Sequence, residues 1–243
     1  MQRRIFLKST AMATAGILSL SSFRIWKNNF SKEELIGKGN PELFGDGFLL
    51  RKEAFDAYTK MCKAALKDGI KIKAVSSYRN YDHQNRIWTR KYERFTKEGH
   101  SPIQAIRKIV EYSTIPGTSR HHWGTDIDII DGSKKVEGDV LVASKFHGNG
   151  PFCKLREWLD EYSESFGFYT VYTSNANRKG FKYEPWHVSY AAISIPMLKE
   201  YRTLDVKSML QQEKLMGSEY FTEDFINQYI NENILDINPE LLK

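Results

Sequence analysis

The 243-residue sequence has few cysteines and lacks several common hydrolase signatures. Its two cysteines, Cys62 and Cys153, do not have the Cys-x-x-Cys spacing of a metal or redox site, and both fall in amphipathic helical segments. There a free cysteine usually packs as a small apolar residue, although in an exported protein the two could pair if their helices touch. No His-Glu-x-x-His motif and no Gly-x-Ser-x-Gly elbow occurs. These absences disfavour a helix-borne zinc site and the serine and P-loop mechanisms.

The sequence has only a small excess of positive charge. The formal net charge is +6, and it falls to about +3 without the three N-terminal cations Arg3, Arg4 and Lys8. The run "WTRKYERFTK" mixes basic and aromatic residues, a pattern more typical of a solvated helix face than of a nucleic-acid surface. We therefore expect no nucleic-acid partner. A hydrophobic content of 41% predicts one globular domain with appendages.

The N-terminus has the composition of an export signal. Its cations precede an apolar stretch, residues 11–20, that is too short to span a bilayer. The hexad "RRIFLK" resembles a twin-arginine signal, with an ordinary secretory signal or a buried N-terminal helix as alternatives. We expect residues 1–23 to be this signal and the protein to be exported to the periplasm or cell envelope. Membrane contact is expected only if the signal is not cleaved.

The remaining chain is predicted to fold as an α+β domain, a small antiparallel sheet flanked by helices, because strands and helices alternate without a βαβ rhythm. Residues 24–43 are polar and patternless and predict a linker or a loosely attached arm. The compact domain is expected at 44–203, followed by a helical C-terminal extension at 204–243. Helices are predicted at 50–66, 80–97, from 101, 151–163 and 196–209, and strands at 71–77, 124–130, 167–172 and 183–190.

The stretch "SRHHWGTDIDI" contains the densest group of potential metal ligands. The period-two alternation of a strand places Asp126 and Asp128 on one face, where carboxylates are costly to bury unless they are paired. A metal ion is one such partner. Hydrolytic zinc usually takes three protein ligands and one water, and His121 and Asp128 could supply two of them. The segment "EPWH" at 184–187 could bring the third ligand and a carboxylate that activates the water.

Three motifs in sequence order, "SSYRNYDHQ", "SRHHWGTDID" and "EPWH", resemble the VanY-type D-alanyl-D-alanine carboxypeptidases. These belong to the LAS zinc metallopeptidases, named for lysostaphin, D-Ala-D-Ala peptidases and sonic hedgehog. The resemblance implies a LAS-type zinc peptidase domain. It implies one zinc ion per chain, held by His121, Asp128 and His187, with Glu184 as general base. Arg79 would hold the substrate carboxylate or the developing oxyanion, which suits a planar cation that never loses its charge.

Four further residues are predicted near the substrate. Ser119 and Gln84 match family positions as substrate contacts or as supports of the residues that make them, and Trp186 is predicted to be a cleft wall or core residue. Asp126 departs from the family, which usually has a small residue there. Positions two apart on a strand are separated by about 6.6 Å, so Asp126 and Asp128 are not expected to bind one zinc directly. Asp126 is predicted to support a ligating histidine or to shape a substrate subsite.

The spacing of Glu184 and His187 makes a further structural prediction. Residues three apart face opposite sides of an ideal strand, so both reach one metal only if the chain bends between them. Pro185 cannot donate a ladder hydrogen bond and is the natural place for that bend.

Together these observations predict a zinc-dependent D-alanyl-D-alanine carboxypeptidase that trims peptidoglycan stem peptides. An L,D-carboxypeptidase or a peptidoglycan endopeptidase of the same fold is an alternative, because pocket shape decides which bond is cut. A non-catalytic, zinc-stabilised binding module is the alternative from another class. The presence of Glu184 disfavours it, since a structural zinc needs no base.

Overall fold

The structure, a computed structural model, describes residues 30–243 and has the predicted α+β architecture. Four short strands form one sheet, and the helices lie around it. The strands are β1 (Ile72–Ser76), β2 (Asp126–Asp131), β3 (Phe168–Thr170) and β4 (His187–Tyr190). The α-helices in this part of the chain are α1 (Lys32–Leu35), α2 (Lys52–Lys67), α3 (Tyr81–Lys97), α4 (Pro102–Ile109), α5 (Cys153–Tyr162), α6 (Ala191–Tyr201), α7 (Val206–Gln212) and α8 (Glu223–Tyr229).

The sheet has the order β1-β2-β4-β3, and each neighbouring pair is antiparallel. Across the central pair, Asp128 lies opposite His187 and Asp126 lies opposite Ser189. On the other side of β2, Ser76 lies opposite Asp128, next to an irregularity in the β1 register. The register therefore brings two predicted metal ligands face to face, although about sixty residues of chain separate them.

Two hydrophobic cores pack around this sheet. The first contains Ile127 and Ile129 of β2, which are fully buried against residues of α2 and α5. The second joins α3 and α4 to α6, α7 and α8. Ile226 and Leu241 are fully buried in this second core, so the predicted C-terminal extension at 204–243 shares the core of the domain.

Residues 30–43 do not form the predicted linker or loosely attached arm. Ser31 and Glu34 form a capping box that starts α1, in which each side chain accepts a hydrogen bond from the other residue's backbone. Leu35 is buried in the second core, and its carbonyl accepts a hydrogen bond of 3.0 Å from the indole of Trp123. This segment is part of the packed domain.

The helix predicted at 196–209 is two helices. α6 begins before Pro196, which lies inside it, and ends at Tyr201. α7 starts anew because the side chain of Asp205 accepts a hydrogen bond from the backbone of Ser208. The apolar periodicity continues through the break, which is why the pattern alone predicts one helix.

The end of the edge strand β3 is covered by chain from the C-terminal region. The backbone N–H of Asn238 donates to the carbonyl of Val171 at 2.9 Å, and its side-chain amide donates to the carbonyl of Thr170 at 3.0 Å. Part of the sheet edge is therefore already paired.

Other predictions concern the termini and the cysteines. The export signal predicted at 1–23 lies outside the described residues and stays a prediction. None of the helices within 30–243 is long and apolar enough to cross a bilayer. Cys62 and Cys153, whose pairing the sequence left open, are both free thiols.

Candidate metal centre and active site

His121, Asp128 and His187 come together in the wall of a cavity of about 550 Å³. One potential ligand atom from each residue lies within 4.8 Å of the others, and all three side chains are buried. The two imidazole rings stack with their centroids 4.7 Å apart. Glu184 lines the same cavity and contacts His187. The structure thus gathers the four residues on which the predicted chemistry depends.

His121 is held from behind so that one ring nitrogen faces the cavity. The side chain of Ser119, which also lines the cavity, accepts a hydrogen bond from the backbone of His121 and starts a short 3₁₀ turn that ends at Gly124. Nδ1 of His121 donates to the carbonyl of Ser77 at 2.8 Å. Nε2 then faces Asp128 at 3.5 Å. Burial lowers the pKa of His121 well below its usual value, so Nε2 keeps a free lone pair for a metal.

His122 is structural. It lies on the same turn rather than on extended chain, and both of its ring nitrogens are used. Nε2 accepts from the backbone of Gly117, and Nδ1 donates to the carbonyl of Arg79 at 2.6 Å. Burial lowers the pKa of His122 to about 4. Gly37 packs so closely on this ring that a Cβ there would come within 2.4 Å of Nδ1. These contacts give His122 a packing and supporting role.

His187 is oriented by carboxylates on both sides. Its Nε2 donates to Asp126 at 3.0 Å, while Nδ1 lies 2.9 Å from Glu184 and 3.9 Å from Asp128. Burial acts against protonation, yet the hydrogen bonds to Asp126 and Glu184 raise the pKa of His187 to about 10. Nδ1 therefore faces the carboxylates of Asp128 and Glu184. A positive charge between these groups is stabilising, and either a proton on Nδ1 or a metal ion can supply it.

Asp128 is left partly unsatisfied by the protein. Its Oδ1 has no hydrogen-bond partner among residues 30–243. Burial raises the pKa of Asp128 to about 6, and the nearby Glu184 adds to this rise while His187 opposes it. A buried carboxylate with a free oxygen beside two imidazoles is the donor set that zinc prefers.

Asp126, by contrast, is completely enclosed. Its carboxylate accepts from Arg120 Nε at 2.9 Å, Ser189 Oγ at 2.8 Å and Thr125 Oγ at 2.7 Å, besides His187. Burial alone would raise the pKa of Asp126, but Arg120 and His187 hold it well below its usual range. Asp126 is fully buried behind His187 and does not line the cavity. Of its two predicted roles, this position fits the support of a ligating histidine and not a subsite contact.

The predicted bend at Pro185 is present. The backbone of His187 donates to the carbonyl of Glu184, which closes a turn before β4 begins, so the strand is shorter than the predicted 183–190. Arg156 fixes the bend by donating to the carbonyl of Pro185 at 2.7 Å. Glu184 and His187 consequently face the same cavity.

The other predicted substrate residues divide into two kinds. Arg79 lines the cavity and donates to the side chain of Gln84 at 3.0 Å. Gln84 is fully buried and donates in turn to the carbonyl of Thr114, so it positions Arg79 rather than facing the cavity. Burial lowers the pKa of Arg79, although the carboxylates of the metal centre oppose this shift. Trp186 both lines the cavity and packs on Phe146 in the first core.

Sequence reasoning missed several residues of the site. Arg120, the ion-pair partner of Asp126, stands beside the predicted ligand His121, and an extra carboxylate on a buried strand was a signal for it. Tyr172, whose ring meets His187 edge-on with centroids 5.2 Å apart, and Lys91 of the cavity wall have no local sequence signal. Only the fold brings them to the site.

A His-Asp-His group with a carboxylate beside it, in the wall of a cavity, is the arrangement of a metal-dependent hydrolase. A family model described as VanY, D-alanyl-D-alanine carboxypeptidase, matches residues 47–193. The chain belongs to this family. The assignment confirms the predicted VanY-type metallopeptidase and agrees with the predicted zinc metallocarboxypeptidase class.

Two relatives illustrate the similarity. The chain is 32% identical over 142 residues to the YodJ protein of Bacillus subtilis. It is 29% identical over 152 residues to a D-alanyl-D-alanine carboxypeptidase of Enterococcus faecalis. These alignments cover 58% and 62% of this chain but only 46% and 52% of the relatives. The chain thus spans about half the length of these proteins.

Two solved structures resemble the fold. VanYB in complex with D-alanine-D-alanine is 26% identical, with a TM-score of 0.52 over 73% of this chain and 92% of that chain. A variant of the vancomycin-resistance D,D-pentapeptidase VanY in complex with Zn(II) is 25% identical, with a TM-score of 0.51 over 75% and 90% of the two chains. Both comparisons confirm the fold class.

Proposed function

We propose that this protein is a zinc-dependent D-alanyl-D-alanine carboxypeptidase that removes the terminal D-alanine from peptidoglycan stem peptides in the cell envelope. The observation that carries the proposal is the convergence of His121, Asp128 and His187 within 4.8 Å, with Glu184 beside them in one cavity. Membership of the VanY family supports it. The similar solved structures, one with D-alanine-D-alanine and one with Zn(II), support the substrate and the metal.

The residues of the candidate site fit a zinc ion. His121 presents Nε2 and His187 presents Nδ1, because their other ring nitrogens are bound to Ser77 and Asp126. Second partners of this kind fix the orientation of metal-binding imidazoles. The unpartnered Oδ1 of Asp128 completes a set of three ligands. Two imidazoles and one carboxylate leave the bound ion a net positive charge.

Zinc held there would polarise the scissile carbonyl and lower the pKa of water towards roughly 7. Glu184 accepts the proton of the attacking water and passes it to the leaving amine. Arg79, oriented by Gln84, provides a fixed cation for the terminal carboxylate or the oxyanion. Trp186 forms part of the cavity wall beside these groups.

The position of Glu184 favours an enzyme over a zinc-stabilised binding module. Its carboxylate lies 2.9 Å from Nδ1 of His187, the ring nitrogen that faces Asp128. A structural site would gain nothing from an additional acidic group there, since a carboxylate close to Asp128 raises the cost of burying both. This arrangement supplies the base that hydrolysis requires.

The test is the variant Glu184→Gln, compared with the native protein and with Glu164→Gln, a change of an exposed glutamate that does not line the cavity. D-Alanine release is measured on tetrapeptide and pentapeptide stems and on a crosslinked substrate, with and without a chelator. We expect kcat on the pentapeptide to fall by about 10²–10⁴-fold in Glu184→Gln, while zinc is still bound.

Equal activity of Glu184→Gln and the native protein would contradict the mechanism. Activity on the tetrapeptide or the crosslink, but not on the pentapeptide, would replace the proposed specificity by one of the alternatives. Zinc binding without hydrolysis of any of these substrates would favour the binding module.

A further inference from the structure

One wall of the cavity carries more positive charge than the proposed reaction uses. Ile87, Lys91 and Arg94 of α3 are spaced by four and three residues, so they lie on one face of the helix, and all three line the cavity. Arg79 lines it nearer to the metal centre. Three residues of helix span about 4.5 Å, so the cationic stripe continues outward from Lys91 to Arg94.

Lys91 is the unusual member of this stripe. It is half-buried and forms no hydrogen bond or ion pair with any residue of the described chain. Burial, and then the neighbouring Arg79 and Arg94, lower the pKa of its ammonium group, and Glu184 only partly offsets them. A partly buried cation among cations is unfavourable unless an anion approaches it. The three arginines that line the cavity have partners, because Arg79 donates to Gln84, Arg94 pairs with Glu98 at 3.7 Å and Arg120 pairs with Asp126 at 2.9 Å.

No acidic residue that lines the cavity forms an ion pair with Lys91 or Arg94 in the part of the chain that the structure describes. Asp139 lies outside the metal centre, accepts a hydrogen bond from the backbone of Leu141 in its own loop and forms no ion pair within residues 30–243. The remaining acidic groups that line the cavity, Asp128 and Glu184, belong to the metal centre. The outer part of the cavity therefore presents positive charge to whatever enters.

We propose that Lys91, assisted by Arg94, binds a second carboxylate of the substrate. This carboxylate lies on the residue immediately upstream of the D-Ala-D-Ala end, while Arg79 serves the reacting end. The inference rests on the proposed function and adds a substrate requirement to it: an acidic peptide is preferred over a neutral one. Burial decreases from Arg79, which is buried close to Asp128 and Glu184, through the half-buried Lys91 to the exposed Arg94, so the three cations lead from the metal centre towards the cavity mouth.

The experiment uses two peptides that end in D-Ala-D-Ala and differ in one upstream side chain, a carboxylate in one and the corresponding carboxamide in the other. For the zinc-loaded native protein we expect kcat/KM to be about tenfold higher for the carboxylate peptide, the effect of one charge-assisted hydrogen bond. Lys91→Met should bring the ratio of the two values close to one, and Lys91→Arg should restore it. Lys97→Met, a change of an exposed lysine on the same helix outside the cavity, should keep the native ratio.

A native protein without preference, or a Lys91→Met variant that slows both peptides equally, would overturn the inference, because the second result places Lys91 on the shared terminal carboxylate. Calorimetric binding of both peptides to zinc-loaded protein separates this from failure of the proposed function. Tighter binding of the carboxylate peptide that depends on Lys91, without cleavage, keeps the subsite and rejects the peptidase. Equal binding, or no binding of either peptide, rejects the subsite.

Discussion

Asp126 and Asp128 lie two residues apart on the same face of β2, yet their surroundings are opposite. Asp126 is enclosed by Arg120, Ser189, Thr125 and His187, and both of its oxygens are used. Asp128 opens to the cavity, and one of its oxygens has no partner within residues 30–243. A buried carboxylate with complete partners is a structural element, whereas one with an open oxygen is held ready for a ligand.

The difference also shows how the two positions cooperate. Asp126 accepts a hydrogen bond from Nε2 of His187, and Nδ1 of the same ring faces Asp128. The hydrogen bond to Asp126 therefore fixes the orientation of the His187 nitrogen that faces Asp128. Isosteric changes at the two positions separate these roles, and their effects on zinc affinity are expected to decrease with distance from the ligand group.

Asp128→Asn should have the largest effect on zinc affinity. In zinc-finger sites roughly 10–16 kcal/mol of zinc binding free energy is shared among four protein ligands, so loss of one ligand here should weaken binding on the order of 100- to 1000-fold. The unfolding free energy of the metal-free protein should not fall, because the change removes a buried charge that lacks a full set of partners. Zinc titration and denaturant unfolding measure the two quantities. Unchanged zinc affinity would exclude Asp128 as a ligand.

Asp126→Asn should lower zinc affinity less than Asp128→Asn does, but it should lower the free energy of unfolding more. We expect zinc affinity to fall by about 10- to 100-fold, the usual cost of losing the partner of a ligating histidine. The metal-free protein should lose about 3 kcal/mol of unfolding free energy, since Arg120 stays buried without its carboxylate. The same titration and unfolding experiments apply. If metal-free Asp126→Asn were as stable as metal-free Asp128→Asn, Asp126 would not have the structural role assigned to it.

Ser189→Ala should have the smallest effect. The Ser189 hydroxyl accepts from Arg120 and donates to Asp126, both at 2.8 Å, but does not touch a predicted ligand. Its removal should cost about 1–2 kcal/mol of unfolding free energy and change zinc affinity less than about tenfold. A loss of zinc affinity as large as that of Asp126→Asn would mean that the whole hydrogen-bond network, rather than Asp126 alone, orients His187.

The sequence carries much of this fold because many of its signals are local. Gly69 ends α2 at a positive φ, Pro102 opens α4, and Pro185 marks the bend that aligns Glu184 and His187. The strand alternation also places Asp126 and Asp128 on one face. The capping box "SKEE" was a local signal too, and it identifies the start of α1 inside the segment that composition alone assigns to a linker.

The parts that sequence could not predict depend on contacts between distant segments. Lys91 lines the cavity only because α3 packs along it, and Tyr172 reaches His187 only through the pairing of neighbouring strands. The ion pair of Arg120 with Asp126 depends on a 3₁₀ turn, which leaves no periodic pattern. The open or closed state of a carboxylate is a property of these packed neighbours.

The hydrogen bonds from Asn238 to the end of β3 bear on solubility. An uncovered edge strand is a template on which a strand from another molecule can add, and such addition is a common start of aggregation. Because Asn238 already donates to the carbonyls of Thr170 and Val171, the end of that template is occupied within the molecule. Loss of these hydrogen bonds would expose the end of β3, so a strand from another molecule could add beside β4, the strand that carries His187.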